Sequence, residues 1–576
     1  MRRHNGSHPI EKRITWVLFF FFSITAILVG RLFIVQVLGH EEYLQHADNQ
    51  QGVRGNISTP RGSILAVDSH GARIPLASNR NYKNLIVEPN RVKNPDEVVR
   101  ILSGEFSIPS EEILKRIGKK DDPYEILAKK LSPSEEAEEK IRKLDGVSFE
   151  DEVKRVYPHD SLGSRFIGFV AGGEERDEGK YGLERAYDAR LFGEGGFFTG
   201  VQDAKGFFLA LGRKITRPAK AGSDIVLTVD YNIQVKAREV LEKSKEKWSA
   251  PSGIVIVIEP STGKILAMDA LPAYNPNEFN KEKDLAVFQN PAVESIFELG
   301  SVMKTVTMAA GIEEKKVTPE TTYTDYGVVK ILDREIKNFD GKARGVQTMS
   351  QVLEKSLNTG AVYVARLLGR EKQIEYFKNF GFGEKSGIDL PGELLGNLAN
   401  IEKGYDVESA TASFGQGIAV TPLQMAMAVG AIANNGKLMR PYIVEEVRDE
   451  AGNVTMRNEP QVRRSVISPE TSQTLTKMLV SVVRNGFEKR ASVKGYFIAG
   501  KTGTAQVPRR DGKGYSDESI HTLIGYAPAF EPKFLIYIQL NEPKGNRFAA
   551  NTLTPAFYDL AEYILNYYEI PPDEPR

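Results

Sequence analysis

Cysteine is absent from the 576 residues. That excludes disulfides, thiolate catalysis and Cys-ligated zinc in one step. Histidine is scarce: there are seven, and only His521 lies beyond residue 159. A Ser-His-Asp arrangement in the C-terminal part would have to use that single imidazole. Charge excess is missing too, with 76 basic against 76 acidic residues, so nothing argues for nucleic acid or an acidic polymer as partner. No metal-ligand cluster or cofactor motif stands out, and neither a metal nor a cofactor is expected.

What is present begins with one long apolar run. Residues 14 to 30 carry no charge, and Leu32 to Leu38 follow a single Arg31. The run is long enough to cross a bilayer as a helix, with Arg31 near its outer end able to snorkel. Arg2, Arg3, Lys12 and Arg13 precede it, and Glu41 and Glu42 follow. The positive flank is expected to stay in the cytoplasm and leave the rest outside. The run is too long for a cleaved signal peptide, and no small-x-small cleavage site follows it. The expected division is a cytoplasmic tail at 1–13, a single-pass anchor at 14–38, a pedestal at 39–220 and a catalytic domain at 221–576.

The pedestal alternates short strand-like runs with charged ones, and Arg100 to Lys143 reads as solvated helices of a small lobe. A composition shift at Arg217-Pro218-Ala219-Lys220-Ala221-Gly222 marks the boundary. Beyond it, Ile225 to Val229 reads as a strand and Asp230 as the cap of a helix. Ile254 to Ile258 and Lys264 to Met268 flank the turn Pro260-Ser261-Thr262-Gly263 as a hairpin. Helices are expected from Thr421-Pro422, Ser468-Pro469 and Thr554-Pro555. His521 to Phe530 and Lys533 to Leu540 read as strands of an antiparallel meander. Strands first, helices in the middle, then strands and a helix give an α+β domain with one antiparallel sheet and flanking helices.

Three stretches carry chemistry. In Gly300-Ser301-Val302-Met303-Lys304, a serine and a lysine three apart share one face of an expected buried helix that Gly311 stops. A buried lysine loses its charge easily, and a neutral amine can take the proton from a serine hydroxyl. Ser301 is then a nucleophile and Lys304 its base. Ser356-Leu357-Asn358 lies between two helical patterns, and Lys501-Thr502-Gly503-Thr504 follows the strand-like run Tyr496 to Ala499. Singly, Ser356 reads as a helix cap and Lys501 as an edge-strand charge. The order Ser-x-x-Lys, Ser-x-Asn, Lys-Thr-Gly is the motif set of penicillin-binding proteins and class A β-lactamases.

From the anchor to about residue 565 the chain resembles a class B penicillin-binding protein, nearest the division-specific, septal type of peptidoglycan D,D-transpeptidase. The resemblance also rests on Arg54-Gly55-x-Ile57, Arg61-Gly62, Gly182-Leu183-Glu184, the stretch from Gly415-Gln416-Gly417 to Gln424, and Gly525-Tyr526-Ala527-Pro528. Asn358-Thr359-Gly360 is nearer the septal than the elongation type. Leu299 departs from the proline common in the family before Gly-Ser, outside the reacting groups.

The resemblance implies a penicillin-binding, serine β-lactamase-like fold for the catalytic domain. It implies that Ser301 attacks the carbonyl between the last two D-alanines of a stem peptide, and that a neighbouring stem's amine resolves the acyl-enzyme. Ser356 would pass a proton to the leaving amine, and Asn358 would bond Lys304 and the substrate amide. Lys501, Thr502, Gly503 and Thr504 would receive the terminal carboxylate, and the N–H groups of Ser301 and Thr504 would form the oxyanion hole. β-Lactams would acylate the same serine. No glycosyltransferase motif precedes residue 220, so polymerisation is expected from a polytopic partner of the shape-and-division (SEDS) type, among other division proteins. An elongation-type transpeptidase, a D,D-carboxypeptidase and a β-lactamase-like hydrolase share the motifs and stay open. A drug-sensing receptor would need an output module, and none is visible.

Overall fold

The computed structural model describes residues 9–33, 53–57, 59–173, 177–200, 214–217, 219–486, 493–509 and 514–574. They fall into two compact units. The first comprises residues up to Thr59 together with Gly193–Ala221. It contains the helix Pro9–Phe33 and an antiparallel sheet of the strands Val53–Ile57, Gly196–Gly200 and Lys214–Arg217. The helix opens at Pro9, five residues before the expected span, and Pro is well suited to a first helical position. Its stretch Trp16–Phe33 is long and apolar enough to cross a membrane and buries nothing inside the protein. Residues 34–38 of the expected span lie outside the described residues.

The second unit, Pro60–Phe192 with Gly222–Arg576, is built on a five-stranded antiparallel sheet. Its strands are β1 (Ser252–Ile258), β2 (Ile265–Leu271), β3 (Ala499–Pro508), β4 (Tyr515–Ala527) and β5 (Phe534–Asn541), in the spatial order β2-β1-β5-β4-β3. Alternation along β1 sends Ile254, Ile256 and Ile258 into one core and Val255 and Val257 into another. The same alternation puts Leu535 and Tyr537 of β5 on the first face and Ile536 and Ile538 on the second.

On the second face lie α1 (Tyr231–Lys247) and α6 (Ala549–Tyr567). The Asp230 carboxylate caps α1, accepting from the N–H groups of Asn232 and Ile233 at 2.9 and 3.1 Å. On the first face gather α2 (Lys304–Glu313), α3 (Asn358–Leu368), α4 (Pro422–Ala433) and α5 (Pro469–Asn485). Helix α4 is buried on all sides, and Thr421 and Gln424 close its first turn with reciprocal bonds of 3.0 and 2.8 Å.

Three expectations need correction. Arg100 to Lys143 is not all helix on the surface: the helices Pro95–Phe106, Ser110–Ile117 and Glu135–Arg142 surround the strand Glu125–Leu131. Its few apolar residues, among them Leu102, Ile113, Leu127 and Ile141, form a core of their own inside the charged shell. The closing helix starts at Ala549 and takes Pro555 into its interior, because packing of Leu553, Phe557 and Leu560 outweighs the lost backbone bond. Gly311 does not stop the Ser301 helix, which runs on to Glu313. A Cβ there would stand 2.6 Å from Val364 Cγ1, so the glycine lets α2 and α3 approach closely.

A second, seven-stranded sheet runs through the same unit. In it Ile64–Val67 lies parallel to Asp224–Asp230, whose other neighbour is Val444–Arg448.

Candidate active site

Ser301 sits in the short 3-10 turn Gly300–Met303 that feeds directly into α2. Two close approaches aim this turn. Gly300 adopts φ 62°, and a Cβ on it would come within 2.9 Å of the Thr504 carbonyl. Gly503, on the facing edge strand β3, has no room for a side chain because one would collide with the Leu299 carbonyl. Glycine at both positions lets the serine turn lie against the Lys-Thr-Gly strand. From the other side, Gly300 N–H donates to the Gly415 carbonyl at 3.1 Å, and Phe297 and Val420 exchange backbone bonds of 2.9 and 3.0 Å. The Gly415–Gln424 stretch therefore braces the turn that carries Ser301. The motif Lys501-Thr502-Gly503 lies inside β3, where the sequence places it just after a strand.

Lys304 is the electrostatic centre. Its side chain is 1 % exposed, and its Nζ lies within hydrogen-bond distance of four oxygens. These are Ser301 Oγ at 2.9 Å, the Ser356 carbonyl at 2.7 Å, Ser356 Oγ at 3.2 Å and Asn358 Oδ1 at 2.8 Å. All four are neutral. Burial, and then the nearby Lys501 charge, drive the Lys304 amine well below the ordinary lysine range. A neutral amine keeps two N–H donors and gains one lone pair. The carbonyls of Ser356 and Asn358 can only accept, so they take the two donors. The lone pair is then left for a hydroxyl, and Ser301 Oγ is the nearer one.

Ser356 lies at φ 52°, a left-handed conformation that a residue with a side chain rarely adopts. Its Oγ stands between the two lysines, 3.2 Å from Lys304 Nζ and 3.2 Å from Lys501 Nζ. Lys501 is 2 % exposed and also donates to the Thr502 carbonyl at 2.9 Å. Asn358 opens α3, and its Nδ2 donates to the Lys337 carbonyl at 2.9 Å. Thr504 is exposed on β3, and its Oγ1 accepts from the N–H of Ala549 at 3.2 Å. Ser301, Lys304, Ser356, Asn358 and Lys501 thus form one chain of contacts, with Thr502, Gly503 and Thr504 on the adjoining strand.

One acid and the histidine stand apart from this chain of contacts. Glu298 precedes the turn that carries Ser301 and lies outside it. Its carboxylate accepts from the Tyr515 hydroxyl at 2.9 Å, and burial raises its pKa. His521 is fully buried and shares hydrogen bonds with Ser519 Oγ at 3.0 Å and Thr552 Oγ1 at 2.8 Å. Burial pushes it down to about 4, so it is a neutral structural imidazole between β4 and α6. Missed in the sequence were Asp325 and Asn338, which brace the Asn358 segment from behind. No local spacing links them to any motif.

The family profile described as the Penicillin binding protein transpeptidase domain matches residues 253–562, and that of the Penicillin-binding Protein dimerisation domain matches residues 56–227. The chain is 34 % identical to the Stage V sporulation protein D of Bacillus subtilis, over 95 % of its own length and 84 % of that protein. It is 30 % identical to the Peptidoglycan D,D-transpeptidase FtsI of Buchnera aphidicola, over 99 % of its own length and 98 % of that protein. The crystal structure of Penicillin Binding Protein 2X from Streptococcus thermophilus superposes with a TM-score of 0.79 at 23 % identity, covering 90 % of this chain and 81 % of that one. With a transpeptidase domain, a dimerisation domain and an apolar N-terminal helix in one chain, this protein belongs to the class B penicillin-binding proteins.

Proposed function

We propose that the protein is a serine D,D-transpeptidase that cross-links peptidoglycan stem peptides. The observation that carries this reading is the Lys304 amine, buried, shifted toward neutrality and 2.9 Å from Ser301 Oγ. Neutral Lys304 accepts the Ser301 proton as Oγ attacks the carbonyl of the penultimate D-alanine. The backbone N–H groups of Ser301 and Thr504 receive the developing oxyanion, a contribution that typically amounts to about 100- to 1000-fold in rate. Ser356, touching both lysines, relays the proton to the departing D-alanine nitrogen. Lys501, with the Thr502 and Thr504 hydroxyls, pairs with the terminal carboxylate. An amine of a second stem then attacks the ester; Lys304 takes its proton and returns it to Ser301 Oγ as the ester C–O bond breaks, releasing the cross-linked product. A β-lactam ring opened by Ser301 stops at the ester stage.

The basic flank before the apolar helix supports a cytoplasmic N-terminus and a catalytic domain on the outer side of the cytoplasmic membrane. A reporter fused after residue 50 should be active only in an exported form. The division into tail 1–13, anchor 14–38, pedestal 39–220 and catalytic domain 221–576 rests on composition. The Asn358-Thr359-Gly360 motif favours septal wall synthesis beside a polytopic glycosyltransferase. The likeness to a sporulation protein favours, as a second reading, wall synthesis during spore formation. Filamentation on depletion of the protein from growing cells supports the first, and a defect confined to spores supports the second.

The activity test uses the purified protein, a synthetic stem peptide ending in D-Ala-D-Ala and an amine acceptor. D-Alanine release matched by cross-linked dimer is expected. Release matched only by the hydrolysed tetrapeptide would assign a carboxypeptidase instead.

A further inference from the structure

Helix α3 begins with Asn358 and has no capping side chain of its own, since Leu357 stands at the cap position. Its first N–H groups need an acceptor from elsewhere. Asn338 supplies one: its Oδ1 accepts from Thr359 N–H at 3.3 Å and stands 3.2 Å from Thr359 Oγ1. Asn338 is 3 % exposed, and its own amide is held by Asp325, which is 1 % exposed. Asn338 Nδ2 donates to both Asp325 oxygens at 2.9 and 3.0 Å. Asp325 Oδ1 also accepts from Thr359 Oγ1 at 2.8 Å and from Gly327 N–H at 2.9 Å. The residue before Asn338 is Lys337, whose carbonyl receives Asn358 Nδ2 at 2.9 Å. Consecutive residues, 337 and 338, thus grip consecutive residues at the start of α3, 358 and 359.

That grip decides a chemical question at the site. A side-chain amide keeps its shape when it is rotated by half a turn, and its neighbours choose which end points where. The Lys337 carbonyl can only accept, so it demands the nitrogen of Asn358. The oxygen is then turned to Lys304 Nζ, 2.8 Å away. Reversed, the amide would set oxygen against oxygen at Lys337 and N–H against N–H at Lys304. The amine could then no longer place both its donors on acceptors and keep its lone pair for Ser301.

We infer that Asp325 and Asn338 are positioning residues for acylation, acting through Asn358 by holding the Lys337 carbonyl where it orients that amide. This rests on the acyl-transfer reading of Ser301. A fluorescent penicillin serves as the probe, with the first-order acylation constant measured at saturating probe and the active fraction counted by burst titration. Asn338→Ala should lower that constant by about tenfold, the order expected for one directed hydrogen bond, while the active fraction stays whole. In an Asn358→Ala background the same change should alter the rate by no more than about twofold, because the group it positions is gone.

Equal losses in the two backgrounds, or a loss accounted for by inactive protein, would overturn the inference. Asp325→Asn covers the case in which Asn338→Ala does not fold. It keeps the volume but turns an N–H toward Asn338 Nδ2, and it should give a smaller loss that likewise disappears beside Asn358→Ala. Failure of the underlying reading would look different: a parent protein that takes no label, or label that survives Ser301→Ala.

Discussion

Two buried polar centres in the same unit are built on opposite rules. In the region 60–192, Glu184 is fully buried and receives Arg61 Nε and Arg155 Nε at 2.7 Å each, and the Tyr157 hydroxyl at 3.3 Å. Arg61 also meets Asp188 at 2.8 Å, and Arg155 donates to the Gly62 carbonyl at 2.7 Å. Two cations face two carboxylates, so each charge is compensated where it lies. Around Lys304 the partners are neutral oxygens, and the charge that acts on it is another cation, Lys501. The first arrangement holds chain segments together. The second keeps a proton acceptor poised at the expense of stability, a pattern expected of reacting groups.

Breaking the two centres should therefore separate rate from stability. The largest change in rate should come from Lys304→Ala, which removes the base and is expected to slow acylation by about 100- to 10,000-fold in a protein that still folds. A burst-titrated rate within tenfold of the parent would show that the lysine is not the base.

Lys304→Met should also raise the melting temperature at neutral pH. The unfolded chain binds a proton at the ordinary lysine value, and the folded site resists it. Stability thus falls as pH drops below the ordinary lysine value of 10.5. The gain on substitution should shrink as pH rises toward that value, which thermal melts across pH would follow.

Glu184→Ala should do the reverse. Leaving two arginines buried without their shared carboxylate is expected to destabilise the fold by about 3–5 kcal/mol. Acylation per folded molecule should be unchanged, and denaturant melts beside burst titration would separate the two effects.

A milder way to sharpen the contrast is pH alone. Acylation by the parent should rise with pH as Lys304 deprotonates and level off well below the ordinary lysine value. A rate still climbing in that ordinary range would mean that burial does not neutralise the amine. The smallest effect is expected from Tyr515→Phe, which deprives half-buried Glu298 of one donor. It should lower stability by about 1 kcal/mol and change the acylation rate little.

The contrast also explains what could be read from the chain. Ser301, Lys304, Ser356, Asn358 and Lys501 announce themselves because each motif is short and its residues are neighbours in sequence. The strands 252–258 and 534–541 were legible from their apolar runs and the turn between Ile258 and Ile265. Contacts made across long separations were not. Asp325 and Asn338 reach Thr359 from 34 and 21 residues away, and Tyr515 reaches Glu298 from 217. Gly311 looked like a stop because its reason is the approach of α3, which no local pattern contains. Pro555 looked like a start because the tertiary packing that carries the helix past it is equally distant.

Intact-protein mass spectrometry of the penicillin-treated protein, followed by peptide mapping, tests the assignment of Ser301 most directly. Glu298, the nearest acid in sequence before Ser301, is engaged by the Tyr515 hydroxyl at 2.9 Å and is not set to activate water beside the ester. One drug adduct per chain is therefore expected, on the peptide containing Ser301, persisting for many minutes and absent from Ser301→Ala. An adduct on another peptide, or rapid turnover with no adduct retained, would contradict it.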